Sequence, residues 1–395
     1  MSRRVELLLF TAGWGANHFS TLLVVYRRDL GLSPAALGIV FGAYALGLVP
    51  GLIFAGRASD QRGRRAIVLP AGVLAIAASG LLAFGGHGFA VLLAGRLLYG
   101  LAMGSIMSPG SVWVQELAPA QSSAGVGARR ATLALSAGFG LGPLVSGLIA
   151  ELAPAPMIVP YLLHGALMAA ALIGALPVAD PARAGHAGAG APPPPRARLQ
   201  AREFQVLAEL LPMAPWAFGL ASVTIAILPG LMRARVTHPV LYSGLVIVTT
   251  LLSGVLVQPL AKRVGPRADL LGLGLGAIGM LIGWRAVAVG SWALVFPVAL
   301  LVGAGYGLIM TTGLIEVSER ASRQGRGTIV GIYYVLTYLG FALPFVHATL
   351  ARRLGDASTL LAAAVTAVIC LVLRAIVEGA AVTRRSRTAA SPPGR

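Results

Sequence analysis

Residues 100–116, GLAMGSIMSPGSVWVQE, and residues 303–319, GAGYGLIMTTGLIEVSE, align without a gap at an offset of 203. The matched pairs are Gly100/Gly303, Gly104/Gly307, Ile106/Ile309, Met107/Met310, Gly110/Gly313, Val114/Val317 and Glu116/Glu319. A chain with 51 glycines matches some of them by chance, but the Ile-Met pair and the closing Glu together are hard to obtain that way. A second correspondence, Gly63/Gly265 and Arg65/Arg267, appears at an offset of 202. Duplication of one unit is the simplest account of both, and a long-period repeat bounds the architecture before any motif does.

The composition says what kind of unit was duplicated. Of 395 residues, 57% are hydrophobic and 11% charged, against about 45–50% and about 25% in soluble domains. With mean hydropathy at +0.82, a water-soluble fold would expose apolar patches that soluble monomers avoid. The lone cysteine, Cys370, excludes a disulfide scaffold. Crossing a bilayer takes about 20 apolar residues. Twelve such runs are readable, near 5–26, 34–55, 66–86, 88–114, 131–151, 157–178, 206–231, 239–260, 268–289, 291–315, 327–350 and 357–378. Lipid offers no partner to a free backbone N–H or C=O, so the runs must be helices. A β-barrel would instead show short alternating segments. Ser2-Arg3-Arg4 before an apolar stretch has the look of a secretory leader, but the run continues to Tyr26 with no convincing small-residue cleavage site, so a retained first span is expected.

Charge supplies the orientation. Of 31 basic residues, six (Arg27, Arg28, Arg233, Arg235, Arg352 and Arg353) lie on one side of this scheme, and three (Arg96, Arg285 and Arg374) fall within spans. The remaining 22 share the side of both chain ends, which the positive-inside bias makes cytoplasmic. The formal charge of +18 is then a topology signal with some attraction to membrane lipid, and nucleic acid is not expected as a partner. Thirty arginines against the single Lys262, with abundant Ala and Gly, suggest a GC-rich bacterial genome and hence the inner membrane. Residues 179–205, with a Gly185–Gly190 stretch around His186 and the run Pro192–Pro195, read as a linker. The expected organisation is a six-helix bundle over 1–178, a cytoplasmic linker over 179–205, a second six-helix bundle over 206–378 and a basic tail over 379–395.

The loop after the second span reads Gly56-Arg57-Ala58-Ser59-Asp60-Gln61-Arg62-Gly63-Arg64-Arg65. Tight turning explains its glycines and the charge bias its arginines, but neither explains Asp60. A carboxylate there can accept charge-assisted hydrogen bonds from Arg64 or from a neighbouring helix N-terminus, which makes it a latch candidate. This loop resembles the signature of the major facilitator superfamily, G-x-x-x-D-R/K-x-G-R-R/K, at Gly56, Asp60, Gly63, Arg64 and Arg65, with Gln61 at the family's basic position. The resemblance extends to twelve spans, a 6+6 repeat and a central linker. It implies an all-α membrane fold of two pseudo-symmetric six-helix bundles, alternating access between them, and a cavity lined mainly by helices 1, 4, 7 and 10.

Further motifs carry two readings each. Arg96 lies inside the fourth span, where charge usually marks a pathway; the bland alternative is snorkelling to the interface. Its spacing to Gly100 and Gly104 is similar to the family's helix 4 motif, whose arginine is implicated in proton coupling. Gly138, Gly142, Pro143 and Gly147 permit close packing and a kink; they also look like the exporters' G-x-x-x-G-P-x-x-G-G signature, with Ser146 replacing one glycine and Arg129 in the register of the family's upstream glycine. Glu116 with its following loop, and Glu319 with Arg326, resemble elements of sugar porters; they are read either as exposed ion pairs or as gate contacts. Candidates for the cavity are Asn17, His18, Met103, Met107, Trp216 and Tyr334, any one of which is equally explained by packing. His18 and Glu316 are the candidates for a titrating group, assisted by Arg96.

These features add up to an expected proton-coupled exporter of a small amphipathic or hydrophobic compound, acting as a monomer. No cofactor or metal is expected, and no nucleotide-binding G-x-x-x-x-G-K-[ST] loop is present, so a gradient must drive it. The alternatives are a symporter importing a sugar or other metabolite and, from another class, a polytopic membrane enzyme or a non-transporting sensor.

Overall fold

The structure, a computed structural model, describes residues 2–118, 126–180, 201–320 and 326–390. Most of the expected linker, His186 included, and the end of the tail lie outside the described residues, as does the side chain of Arg326. The described residues form helices and turns and no strand. Eleven helices are long and apolar enough to cross a bilayer, and a further apolar helix, Val159–Ala175, has 17 residues, the lower end of the spanning range of about 17–25. In chain order the spans are α1 Ser2–Asp29, α2 Pro34–Arg62, α3 Arg65–Ala83, α4 Phe89–Glu116, α5 Val126–Leu152 and α6 Val159–Ala175. They continue with α7 Phe204–Arg235, α8 Pro239–Val264, α9 Ala268–Val289, α10 Val295–Arg320, α11 Ile329–Leu354 and α12 Asp356–Ala390.

Four elements differ from the simple reading. α2, expected to end near residue 55, stays helical through Gly56–Arg62, the first part of the expected loop. In α7, Ala214–Ser222 passes through a π turn, Val223–Ile227, before Leu228–Met232. Pro229 has no N–H to give the carbonyl four residues back, and the wider turn absorbs the mismatch. In α11 the chain instead tightens into a 3-10 turn, Leu339–Ala342, ahead of Pro344, and the Gly340 carbonyl that Pro344 cannot serve accepts from the Leu343 amide. The last helix runs to Ala390, so the stretch expected as a tail from 379 begins as helix; its alanines and arginines are good helix formers. Gly63 and Gly265, paired by the repeat, end α2 and α8 alike with φ of 93° and 74°, a backbone that glycine adopts without strain.

The repeat also explains the packing. Carbon added at Gly100 would run into the backbone at Tyr44 and Leu48 of α2, and carbon at Gly104 into that at Leu48 and Leu52. In the second half, Gly303 meets α8 at Thr250, and Gly307 meets it at Gly254. The same glycines, 203 residues apart, let α4 lie against α2 and α10 against α8. One buried core gathers Leu8, Leu22, Tyr99, Met103, Trp113 and Met168 from the first six spans. A second gathers Met213, Leu220, Leu273, Met280, Val302 and Tyr333 from the last six. α1 and α7 are the most enclosed spans and α12 the least. Outside, Leu46, Phe54, Leu152, Ile173, Leu256 and Ile376 stand exposed, as they can in hydrocarbon, and the chain is a multi-pass membrane protein. The face carrying the chain ends is called the terminal face below.

If glycine is required at these crossings, Gly104→Val and Gly307→Val each cost about 1–3 kcal/mol of stability, the usual scale of overpacking. Melting in detergent should fall for both. Gly165→Ala, whose added carbon meets nothing within 4 Å, should leave it unchanged or raise it.

Candidate functional site

Charged side chains gather at the terminal face in two networks, one in each half. In the first, Arg64 sits at the α2–α3 turn and pairs with Asp60. It also donates to Ser59 Oγ at 3.0 Å and, through Nε and Nη2, to Glu116 Oε1 at 3.3 and 3.2 Å. Burial works against its charge, but these hydrogen bonds outweigh that and hold the guanidinium above its ordinary pKa. The Arg65 amide donates to Asp180 at 3.0 Å, which ties the start of the linker to the same turn. The second network is larger. Arg374 of α12 reaches Asp269 of α9 and Glu316 of α10, both at 2.6 Å, and donates to the Glu209 carbonyl at 3.2 Å. Arg320 pairs with Glu316 at 2.6 Å and Glu209 at 2.5 Å. Four spans of the second half are thereby joined. Each of these contacts stays within one half.

Between the faces lies a different cluster. Arg96 is 2% exposed, so it does not snorkel. Its guanidinium rests 4.5 Å from the ring centres of both Phe19 and Tyr44 and donates to the carbonyls of Ala16 (3.2 Å) and Phe41 (3.5 Å). Ring faces and carbonyls are what a buried cation can use when no acid is near. His18, fully buried on the same helix as Ala16, packs against Tyr161 and His164, with ring centres 4.8 and 5.1 Å away. Among the described residues neither of its ring nitrogens has a hydrogen-bond partner. His164 is fully engaged: Nε2 lies 3.1 Å from the Thr11 carbonyl and 3.2 Å from the Tyr99 hydroxyl, and Nδ1 2.7 Å from Ser79 Oγ. Since a carbonyl only accepts, Nε2 carries the proton and Nδ1 accepts from Ser79.

The two halves meet away from the terminal face. Phe41 and Tyr44 of α2 pack on Phe341 of α11, with ring centres 4.9 and 6.5 Å apart. Phe341 in turn packs on Phe218 of α7 at 4.9 Å, and Phe218 stacks on Tyr338 at 4.6 Å. Tyr44 therefore touches both Arg96 and the other half. Farther out, Glu151 at the end of α5 accepts hydrogen bonds from the amides of Val240 (2.9 Å) and Leu241 (3.1 Å). A carboxylate from one half thus caps the N-terminus of α8 in the other, where the helix dipole favours it.

Several expected site residues find their place in this geometry. Asp60, Gly63, Arg64, Arg65 and Glu116 come together, and Gly56 lies a turn away in α2. Glu319 is exposed at the end of α10, and Glu316, nearly one turn earlier, makes the ion pairs instead. Arg96 and His18 come together, but Glu316 lies apart from them. Asn17 Nδ2 is 3.5 Å from the Phe139 carbonyl, the group that Pro143 cannot serve because it lacks an N–H. Met103 is buried in the first core and Trp216 in the second, whereas Met107 and Tyr334 are half-buried. Gly138 and Gly142 face α1 at Phe10 and Trp14, and Gly147 faces Val240 of α8. Sequence reading missed Glu151, Asp269 and the partners of His164. The paired opposite charges Asp269 and Arg374, each inside an apolar span, were the available signal.

The sequence profile of the family described as Major Facilitator Superfamily matches residues 5–345. The quinolone resistance protein NorA of Staphylococcus aureus (strain Mu50 / ATCC 700699) is 28% identical over 171 residues, 42% of each chain. The multidrug resistance protein MdtL of Klebsiella pneumoniae (strain 342) is 37% identical over 78 residues, 20% of each. The chain spans less than half the length of these curated relatives. A bacterial homologue of the human lysosomal transporter Spinster, crystallised inward-facing and occupied, superposes with a TM-score of 0.75 over 95% of this chain and 96% of its own, at 16% identity.

Removing Arg374 leaves Asp269, which is fully buried, without its counter-charge, a change that typically costs about 3–5 kcal/mol. Arg374→Gln should lower the melting temperature sharply, and adding Asp269→Asn should recover part of the loss. A double variant as unstable as the single one would show that the pair is not what stabilises this corner.

Proposed function

The chain belongs to the major facilitator superfamily of membrane transporters, and from that membership we propose that it exports a small amphipathic or hydrophobic compound from a bacterial cell in exchange for protons. In this reading residues 1–178 and 206–378 are two six-helix bundles that rock about the space between them, joined by the 179–205 linker and followed by the 379–395 segment. The terminal face is cytoplasmic in this reading, since the sequence assigns 22 of the 31 basic residues to the side of the chain ends. The protein works as a monomer in lipid, without cofactor. Its similarity to two proteins named for drug resistance and the Gly142-Pro143 element in α5 favour export over uptake.

The observation that carries the coupling is the position of Arg96. It is held by carbonyls and ring faces, with no carboxylate among its contacts, and one of those rings, Tyr44, packs on Phe341 of the other half. A proton arriving on His18, two residues beyond the Ala16 carbonyl that Arg96 holds, places a second cation in the same low-dielectric pocket. Repulsion then favours a state in which the guanidinium leaves Tyr44 and the cross-bundle aromatic contact loosens. A ligand, here a proton, shifts a two-state equilibrium by as much as it prefers one state. At the terminal face the Asp60–Arg64–Glu116 group fixes the ends of α2, α3 and α4, so that the first bundle moves as one body.

The test uses purified protein in vesicles with an acidic lumen and a fluorescent amphipathic probe outside. For protein inserted with its terminal face outward, exchange predicts accumulation that a protonophore abolishes; a symporter would not accumulate probe against that gradient. His18→Phe, which removes no hydrogen bond, should abolish accumulation while downhill movement of probe persists. Full pH-driven accumulation by that variant would remove His18 from the mechanism. Arg64→Gln should slow exchange roughly five- to tenfold, the scale of about 1–1.4 kcal/mol, without loss of membrane insertion.

A further inference from the structure

A cavity of about 210 Å³ opens between the two halves on the side away from the chain ends, and none of the residues discussed so far as carrying the coupling lines it. Its walls come from α1, α2, α7, α8, α11 and the start of α12, with Leu23, Val24, Leu37 and Ile225 among the apolar lining. The π turn of α7 forms one wall, through Ile225, Ala226 and Ile227; such turns recur at functional sites. Two hydroxyls line the cavity from opposite halves, Ser20 of α1 and Ser243 of α8. Both side chains are buried, at 1% and 0% exposure, and among the described residues neither Oγ has a hydrogen-bond partner. Buried hydroxyls without partners are uncommon in folded proteins and call for an occupant that supplies them.

The charges around the opening set the sign of that occupant. Arg27 and Arg352 line the cavity, and neither has an ion-pair partner among the described residues. On this side of the molecule the acidic residues are Asp29, Glu151 and Asp356, and each is already engaged. Asp29 holds Arg28 at 2.5 Å, Glu151 caps α8, and Asp356 faces His347 at 3.2 Å. His347 and Asp356, the other titratable groups on the wall, thus face each other. Asp356 shares the wall with His347, which offsets its charge only when protonated, so two guanidinium groups stand against one carboxylate and the balance at the opening favours an anion. The volume lies below the roughly 300–1,000 Å³ of sites that enclose drug-sized molecules.

We propose that this cavity binds a small amphipathic organic anion, with its charged end between Arg27 and Arg352 and its short apolar body against the α1 and α7 walls. Ser20 and Ser243 donate to acceptor atoms of the occupant. As the outer station of an export path, the cavity would make the transported compound a short-chain carboxylate or similar anion rather than an organic cation. That role rests on the transport reading above; the site itself rests on geometry alone. The same chemistry would suit the phosphate of an anionic lipid, so the test separates the two sources.

The experiment is isothermal titration of the full-length protein in nanodiscs of zwitterionic lipid with hexanoate, hexylamine and hexan-1-ol. Saturable hexanoate binding is expected, at least about tenfold stronger than either neutral or cationic analogue. Arg27→Gln and Arg352→Gln should each weaken it about tenfold and Ser243→Ala severalfold, while Arg28→Gln, already paired to Asp29, should bind like the parent. Because a single arginine variant can fold poorly, Arg27→Lys serves as a second reading and should retain partial binding. Hexylamine binding as tight as hexanoate, no saturable hexanoate binding (a water-filled void only), or displacement by anionic lipid with no response to hexanoate would each overturn the assignment. Hexanoate binding with the stated variant pattern but no gradient-driven flux of any probe would refute the transport reading and leave the site standing.

Discussion

Backbone contact at two glycines is the constraint from which the interior of the first half follows. Gly100 and Gly104 bring α4 against α2 with no side chain between them. Arg96 lies one turn before Gly100 on the same helical face, so the close approach carries its guanidinium to the Phe41 carbonyl and the face of Tyr44. With a bulkier residue at 100 or 104, α4 would stand off and the cation would lose the groups that replace its hydration. A buried charge with no counter-ion is tolerable only where such groups are fixed in advance. The second half repeats the glycines at 303 and 307 but has no arginine at the place of Arg96, where residue 299 is alanine. Similar helix packing therefore surrounds a cation at this position in one half and an apolar side chain at the matching position in the other.

The charged groups divide by depth. At the terminal face, carboxylates and arginines pair within each half and keep the helix ends together. At the opposite face Glu151 crosses between the halves, accepting from the backbone amides of Val240 and Leu241 with the His238 ring 3.5 Å away. Between these layers the halves meet through the rings of Phe41, Tyr44, Phe218 and Phe341 and through close backbone packing, of α5 on α8 at Gly147 and Gly244 and of α2 on α11 at Gly38 and Gly42. Ring-on-ring contacts contribute roughly 0.5–1.5 kcal/mol each beyond burial, small enough to be broken and remade by a rocking motion. Two bundles that are tied inside by ion pairs and meet each other through rings and small residues are suited to exist in more than one arrangement.

Much of this was legible in the linear chain. The repeat between 100–116 and 303–319 pointed to two like halves, and its glycines at i and i+4 allow close helix approach; that α2 and α8 are the partners came from the structure. Gly63 and Gly265 marked equivalent helix ends. The stretch with Asp60 and Arg64 was readable because an acid just past an apolar span needs a partner nearby, and the turn at Gly63 brings Arg64 back to it. Spans were placed within about five residues, apart from the end of α2 at Arg62, the breaks ahead of Pro229 and Pro344 and the continuation past residue 379. The breaks depend on how each proline is accommodated, which neighbouring helices decide.

The sequence by itself determined the environment, the number of long apolar segments, the duplication and the loop signature, because hydropathy, glycine spacing and short-range charge are local quantities. Which polar side chains meet was decided only in three dimensions. Glu316 and Glu319 are equally acidic and three residues apart, yet only Glu316 faces Arg374, 58 positions away on α12. Asn17 had the polarity of a cavity residue but lies against the carbonyl orphaned by Pro143 on another helix. Ser20 and Ser243 are unremarkable in either span until the halves are brought together around one space. A helix brings together residues three and four apart, whereas contacts between helices depend on rotation and depth, which arise only when all the spans pack at once.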